Sequence, residues 1–128
     1  MIILDTHAWV WWATESRNLS LRARRAIADA DELGISVLSC WEVAMLVAKG
    51  RLAFNQPVEL WIERALEFPR MHVVPLTATI ATMAASLPAS FHGDPADRMI
   101  VATCLKNEAP LITKDRTLRR WRPVVTIW

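Results

Sequence analysis

The sequence contains no tyrosine and only two cysteines, Cys40 and Cys104. The two show no metal-type spacing, and each sits among apolar neighbours. A disulfide framework and a cysteine-bound metal are therefore not expected, and both thiols read as reduced core residues of a reducing compartment. No His/Cys cluster suggests zinc. Long apolar runs are missing as well: none approaches the roughly 18 residues that a membrane span requires. The opening MIIL is too short for a signal-peptide core and has no basic flank. Repeats, linkers and low-complexity segments are also lacking. These absences point to one domain over residues 1–128, soluble, cytoplasmic and not attached to a membrane.

The residues that are present suit a folded globule: 53% are apolar and 22% charged. At 128 residues the chain buries roughly two-thirds of its unfolded surface, so a core forms without staples. Seven tryptophans supply most of the aromatic mass. The net charge is only +2 but is unevenly placed. Residues 17–25 hold Arg17, Arg22, Arg24 and Arg25 without an acid, and residues 106–122 hold six basic residues against two acids, a net +4. Such a split is compatible with a polyanionic partner and equally with solvated helix faces.

Short apolar strands alternate with helical segments. MIIL, ISVL (35–38), HVVPL (72–76), PLIT (110–113) and VVTI (124–127) read as strands, the third placed at an edge or strand end by its proline. Between them, HAWVWWAT (7–14) and LSLRARRAIADADEL (19–33) read as helices, the latter capped by Ser20 and stopped by Gly34. SCWEVAMLVAK (39–49) follows, capped by Ser39 and ended by Gly50, and then PVELWIERALEF (57–68) with Pro57 in its first turn. TATIATMAASL (77–87), DPADRMIVATCLKN (94–107) and the short RTLRRW (116–121) complete the set. This alternation means βα units: an α/β fold with a four- to five-stranded parallel sheet covered on both faces. Ligands of such sheets bind at the C-terminal strand edge.

Four acids fall at that edge. Asp5 closes the first strand, Glu42 lies in the first turn after the second, Asp97 lies in the first turn of the helix opened by Pro95, and Asp115 follows LIT. Each has a capping explanation: SCWE and DPAD fit capping boxes, and Asp115 fits a cap for RTLRRW. The helical pattern separates two of them from that reading. Asp97 is in line with Ile100, Val101 and Cys104, and Glu42 with Met45, Leu46 and Lys49, so both extend apolar stripes toward the crevice. Asp94 is in line with Arg98 instead. Converging carboxylates repel by roughly 3 kcal/mol per pair at ~5 Å, so some must protonate or hold a cation. An all-oxygen donor set selects a hard divalent ion, Mg²⁺ or Mn²⁺. With basic residues nearby, phosphodiester hydrolysis by metal-activated water is the chemistry these groups suit.

ILDTHAWVWW, SCWEVAMLVAKGRL, FHGDPADRMIVATCL and LITKD resemble, in order and spacing, the PIN-domain ribonucleases, in particular the VapC-type toxins of toxin–antitoxin modules. The resemblance covers nearly the whole chain. It implies a three-layer α/β/α sandwich and a Mg²⁺- or Mn²⁺-dependent endoribonuclease leaving a 5′-phosphate and a 3′-hydroxyl. The catalytic and metal-binding acids it implies are Asp5, Glu42, Asp97 and Asp115, with Thr6, Thr113 and Asp94 in support. It also implies an RNA substrate, a homodimer, and a small antitoxin that blocks the site.

Other residues stand beside this set. Arg98 is a candidate partner of Asp94 or of a phosphate, and Lys114 and Arg116 are candidate RNA contacts. His7 and His92 flank the site, as hydrogen-bonding or RNA-contacting groups ahead of a general-base role, while His72 reads as structural. Trp9, Trp11 and Trp12 crowd one short helix, and part of that surface is expected to meet a partner. Trp41 and Trp61 are assigned to the core. Two other functions fit parts of the pattern: a receiver-type phosphoacceptor domain, and a catalytically idle fold of the same type that binds partners. The first needs an acid pair after strand one, where Asp5 stands alone; the second leaves the acid quartet without a role.

Overall fold

The computed structural model describes residues 1–91 and 93–128, so the reading of His92 lies outside the described residues. Five short apolar segments, β1 (Ile2–Leu4), β2 (Leu33–Ser36), β3 (Met71–Val74), β4 (Leu111–Ile112) and β5 (Thr126–Ile127), pair in the order β3-β2-β1-β4-β5. Every pairing is parallel, with Ile3 opposite both Gly34 and Leu111. β3 is an edge strand, and Pro75 follows its last residue, where no ladder hydrogen bond is lost.

Alternation along the strands divides the core in two. Leu4, Leu33, Ile35 and Ile112 turn to one face, where they meet α1 (Thr6–Ala13), α2 (Leu21–Asp29), α3 (Val37–Ala48) and α4 (Val58–Leu66) through Trp9, Ile27, Val43 and Trp61. Ile3, Leu111 and Val74 turn to the other, against Ile100, Val101 and Cys104 of α6 (Pro95–Lys106) and Leu118 of α7 (Arg116–Arg120). α5 (Ala78–Ala85) packs on α6 through Ile80, Ala84 and Ala102. The result is the expected three-layer α/β/α sandwich. Among the described residues no helix is long and apolar enough to cross a membrane.

Several local expectations are corrected. β2 begins two residues earlier than ISVL, and Gly34 lies inside it rather than ending α2, which stops at Asp29. A Cβ at Gly34 would stand 2.6 Å from Ile3 Cδ1 and 3.0 Å from Val74 Cγ2, so the flanking side chains occupy the space a side chain would need. The cap of α3 is Ser36, which accepts from the Leu38 N–H, not Ser39. Glu42 accordingly falls in the second helical turn. Gly50 does end α3: at φ 69° it closes a Schellman motif, with Gly50 N–H donating to Val47 and Arg51 N–H to Leu46. Trp41 is 57% exposed, whereas Trp61 is buried as expected. Trp9 is wholly buried against Trp61, ring centroids 5.3 Å apart, and so is not a partner contact. Trp11 and Trp12 are half-buried.

Gly34→Ala should overpack this junction and cost about 1–3 kcal/mol. A urea midpoint unchanged from the parent would show that Ile3 and Val74 yield without strain.

Candidate active site

The strand order fixes where the site lies. The chain builds outward from β1 to β2 and β3, then returns to place β4 and β5 on the other side of β1. The reversal opens a crevice at the C-terminal ends of β1 and β4. Asp5 follows β1 and Thr113 to Asp115 follow β4, so both reach this crevice from rigid strand ends.

Asp5 is tied down at every polar atom. Its backbone N–H donates to Ile112 at 3.0 Å, carrying the ladder one residue beyond β1. Its Oδ1 accepts from the Thr6 N–H at 2.8 Å and its Oδ2 from the Thr113 hydroxyl at 2.7 Å. Burial raises its pKa above the usual carboxylate range, against the lowering effect of the Thr113 and Thr6 hydrogen bonds and of His7. The Thr113 oxygen in turn accepts from the Asp115 N–H at 3.1 Å, so one buried hydroxyl links the first acid to the last.

Thr6 does the same toward α3. Its buried hydroxyl lies 3.0 Å from Glu42 Oε1 and 2.9 Å from Ser39 Oγ. With one proton, it donates to the carboxylate and accepts from the serine. Ser39 is therefore a member of the site's support and not a cap. Glu42 is also held above its usual range, by burial first and with Asp5 adding to it, while Thr6 pulls it down.

Asp97 arrives from the other face. Asp94 caps α6, its Oδ1 accepting from the Asp97 N–H at 3.0 Å, and Pro95 opens the first turn. Ile100, Val101 and Cys104, in line with Asp97, are buried. The Asp97 carboxyl is pushed up to about 7, by burial first and then by Asp94, Asp5, Asp115 and Glu42 in that order. Arg98 donates to the carbonyls of Ala84, Leu87 and Phe91 at 3.0–3.4 Å and lies over the Phe91 ring. It thus clamps the segment between α5 and α6 that delivers Asp94 and Asp97.

Asp115 caps α7, its Oδ1 accepting from the Thr117 and Leu118 N–H groups. Asp5, Glu42, Asp97 and Asp115 line one cleft of about 610 Å³ with His7, Trp11, Lys114 and Arg116. The Lys114 ammonium sits 5.6 Å over the Trp11 ring. All four acids singled out by position thus share a cleft. Asp94 lines an adjoining groove with Leu38, Trp41, Met45, Leu76 and Met99, which also touches Glu42 and Asp97. Sequence reasoning missed Ser39 as a site residue and Trp11 as a cleft wall. The Ser39 signal was its position three residues before Glu42, which a capping box shares.

Among the described residues no three acid, histidine or cysteine side chains are drawn together closely enough to hold an ion as they stand. The four acids line the cleft from separate segments. Their chemistry nonetheless fits a hard divalent cation: oxygen donors only, with carboxyl groups whose ionisation is resisted by burial and by one another. Asp5 is hydrogen-bonded at both carboxylate oxygens, while Glu42 and Asp97 are partly exposed to the cleft.

Known proteins match this chain in sequence and in fold. The chain is 41% identical, over 99% of its length and 98% of the relative's, to Ribonuclease VapC22 of Mycobacterium tuberculosis (strain ATCC 25618 / H37Rv). The fold matches VapBC2 from Rickettsia felis bound to a promoter DNA fragment with a TM-score of 0.74 at 16% identity, covering 98% of this chain and 97% of that one. It matches a toxin–antitoxin complex from Klebsiella pneumoniae with a TM-score of 0.71 at 20% identity and the same coverage. The family model described as PIN domain spans residues 2–122, and with it the whole acidic cleft: the chain belongs to the PIN-domain family.

Proposed function

We propose that this protein is a divalent-metal-dependent endoribonuclease that acts as the toxin of a toxin–antitoxin pair, with Mg²⁺ or Mn²⁺ as its ion. The observation that carries the reading is the sharing of one cleft by four carboxylates from four separate chain segments. PIN-domain ribonucleases in general depend on a divalent metal, and the 41% identical relative bears the name of a ribonuclease. When bound, the ion supplies Lewis-acid polarisation of a phosphoryl oxygen and lowers the pKa of water. The chain's own residues do the rest. Asp5, Glu42, Asp97 and Asp115 would hold the ion and orient water. Thr6 and Thr113 fix the carboxylates through hydrogen bonds. Lys114 and Arg116, on the cleft wall, would offset the charge of the RNA backbone.

The adjoining groove supports the partner assignment. It is apolar, about 600 Å³, and shares Glu42 and Asp97 with the acidic cleft. A segment of antitoxin laid in it through contacts to Trp41 and Leu76 would obstruct both acids, and 57% exposure of Trp41 leaves a large apolar anchor point. A homodimer is part of the same reading.

Incubating purified protein with total RNA and Mg²⁺ or Mn²⁺, followed by mapping of 5′-phosphate ends, tests the activity. Asp97→Ala should lower cleavage at least about 100-fold, the order seen when a charge-stabilising group is removed. Asp94→Ala should cost about 1 kcal/mol of stability through the lost cap and leave cleavage standing. Undiminished cleavage by Asp97→Ala would overturn the assignment.

Stability should depend on pH in a specified direction. Asp97 titrates at 3.8 when unfolded and about 7 when folded, so its proton favours the native state. The contribution is fully present below 3.8 and is lost as pH rises through about 7. Asp5 and Glu42 shift in the same direction. Melting temperature in EDTA should therefore fall across this window, less steeply in Asp97→Asn. In Asp94→Asn, which keeps a capping side chain and removes a charge that raises the Asp97 pKa, the fall should end at lower pH. Added Mn²⁺ should raise the melting temperature most at the alkaline end, where it no longer competes with protons. A flat profile for the parent protein would contradict the account of the cleft.

A further inference from the structure

Beside the acidic cleft lies a second pocket, of about 390 Å³, lined by Arg22, Arg116, Arg119, Arg120, Arg122 and Trp128. It is assembled from distant segments: α2, which packs against β5, supplies Arg22, while α7 and the stretch after it supply the other arginines. Among the described residues no carboxylate pairs with any of these five guanidinium groups. Surfaces tuned for stability and solubility intersperse the two signs; five like charges around one pocket repel each other unless an anion joins them.

Two contacts make this pocket continuous with the acidic cleft. Arg116 lines both. Trp128, in the arginine pocket, packs on Trp11, in the acidic cleft, with ring centroids 5.8 Å apart, and Lys114 lies over the far partner of that pair. Guanidinium forks match phosphate oxygens, and indole faces accept unstacked bases. We infer that the Arg119–Arg120–Arg122 cluster, with Arg22 and Trp128, binds the phosphate backbone of the single-stranded RNA flanking the cleaved bond, and so sets the path by which substrate leaves the acidic cleft. The inference rests on the ribonuclease reading of that cleft.

The test is binding of a fluorescein-labelled single-stranded RNA of about 12 nucleotides, followed by anisotropy in EDTA so that no turnover occurs. In the full chain, the combined variant R119Q/R120Q/R122Q should bind at least about tenfold more weakly, and its log–log salt dependence should be shallower by about 2, from about 0.7 per lost phosphate contact. Arg119→Gln and Arg120→Gln alone should each give part of that loss, which keeps the test open if the triple variant unfolds. K49Q/R51Q/R64Q removes the same charge from exposed residues around the C-terminal end of α3 and in α4, and should change affinity by no more than about twofold, since distant charges are screened. Equal losses in the two triple variants, or none in the arginine-cluster variant, would overturn the inference. So would retained RNA affinity with lost binding of a labelled polyglutamate peptide, which would assign the cluster to an acidic protein segment. Because binding is read without metal, cluster-dependent binding in a protein that cleaves no RNA counts against the ribonuclease reading alone. Cleavage together with cluster-independent binding counts only against this inference.

Discussion

Keeping four carboxylates in one partly buried cleft is the constraint that the rest of the site answers. Asp5, Glu42, Asp97 and Asp115 share a cleft, and each added negative charge makes the next harder to keep. Burial acts first on Asp5, Glu42 and Asp97, and the charges of the neighbouring acids add to it. The structure meets this by anchoring the acids through hydrogen bonds. Both oxygens of Asp5 accept hydrogen bonds, and the threonines that donate them are buried. A side chain so held cannot rotate into solvent to relieve the repulsion.

The anchoring spreads from the dipeptide Asp5–Thr6. Through Thr113 it reaches Asp115, and through the Thr6 hydroxyl it reaches Glu42 and Ser39. These links join the ends of β1 and β4 to α3, so three of the acids belong to one hydrogen-bonded unit on a rigid sheet edge. Asp97 is placed differently. Its backbone is fixed by the Asp94 cap and by Arg98, which binds three carbonyls of the preceding segment. Its carboxyl group is pushed up to about 7, by burial first and then by the neighbouring acids. Three acids tied to one hydrogen-bonded unit and a fourth held at a helix start with its pKa near neutrality are the groups to which the proposed function assigns a cation.

The parts of this arrangement that were legible in the sequence are those carried by local pattern. Alternating strands and helices gave the parallel sheet, and the apolar stripe of Ile100, Val101 and Cys104 distinguished Asp97 from Asp94. What failed depended on neighbours distant in the chain. Ser36 and Ser39 are three residues apart and equally suited to capping; only contact with Thr6, more than thirty residues earlier in the chain, makes Ser39 a support. Gly34 looks like a helix stop until Ile3 and Val74 are seen to fill its side-chain space from the adjacent strands. Trp9 and Trp41 sit in similarly apolar segments, yet Trp61 covers the first while the second stays 57% exposed. Helical periodicity ranks faces but does not say which face another segment will cover.

The same long-range assembly explains the separation of charge on the surface. A cleft of four acids repels RNA, and a bound divalent ion offsets only part of that charge. Attraction has to come from elsewhere, close enough to act within a Debye length of about 10 Å and far enough not to neutralise the acids by pairing with them. Arg116 stands at that boundary, lining the acidic cleft on one side and the arginine pocket on the other. Trp11 and Trp128 fill the space between the two with apolar rings, which bring no charge of either sign. On the proposed reading, the acids thereby stay available to a cation while the adjacent cationic wall attracts the polyanion.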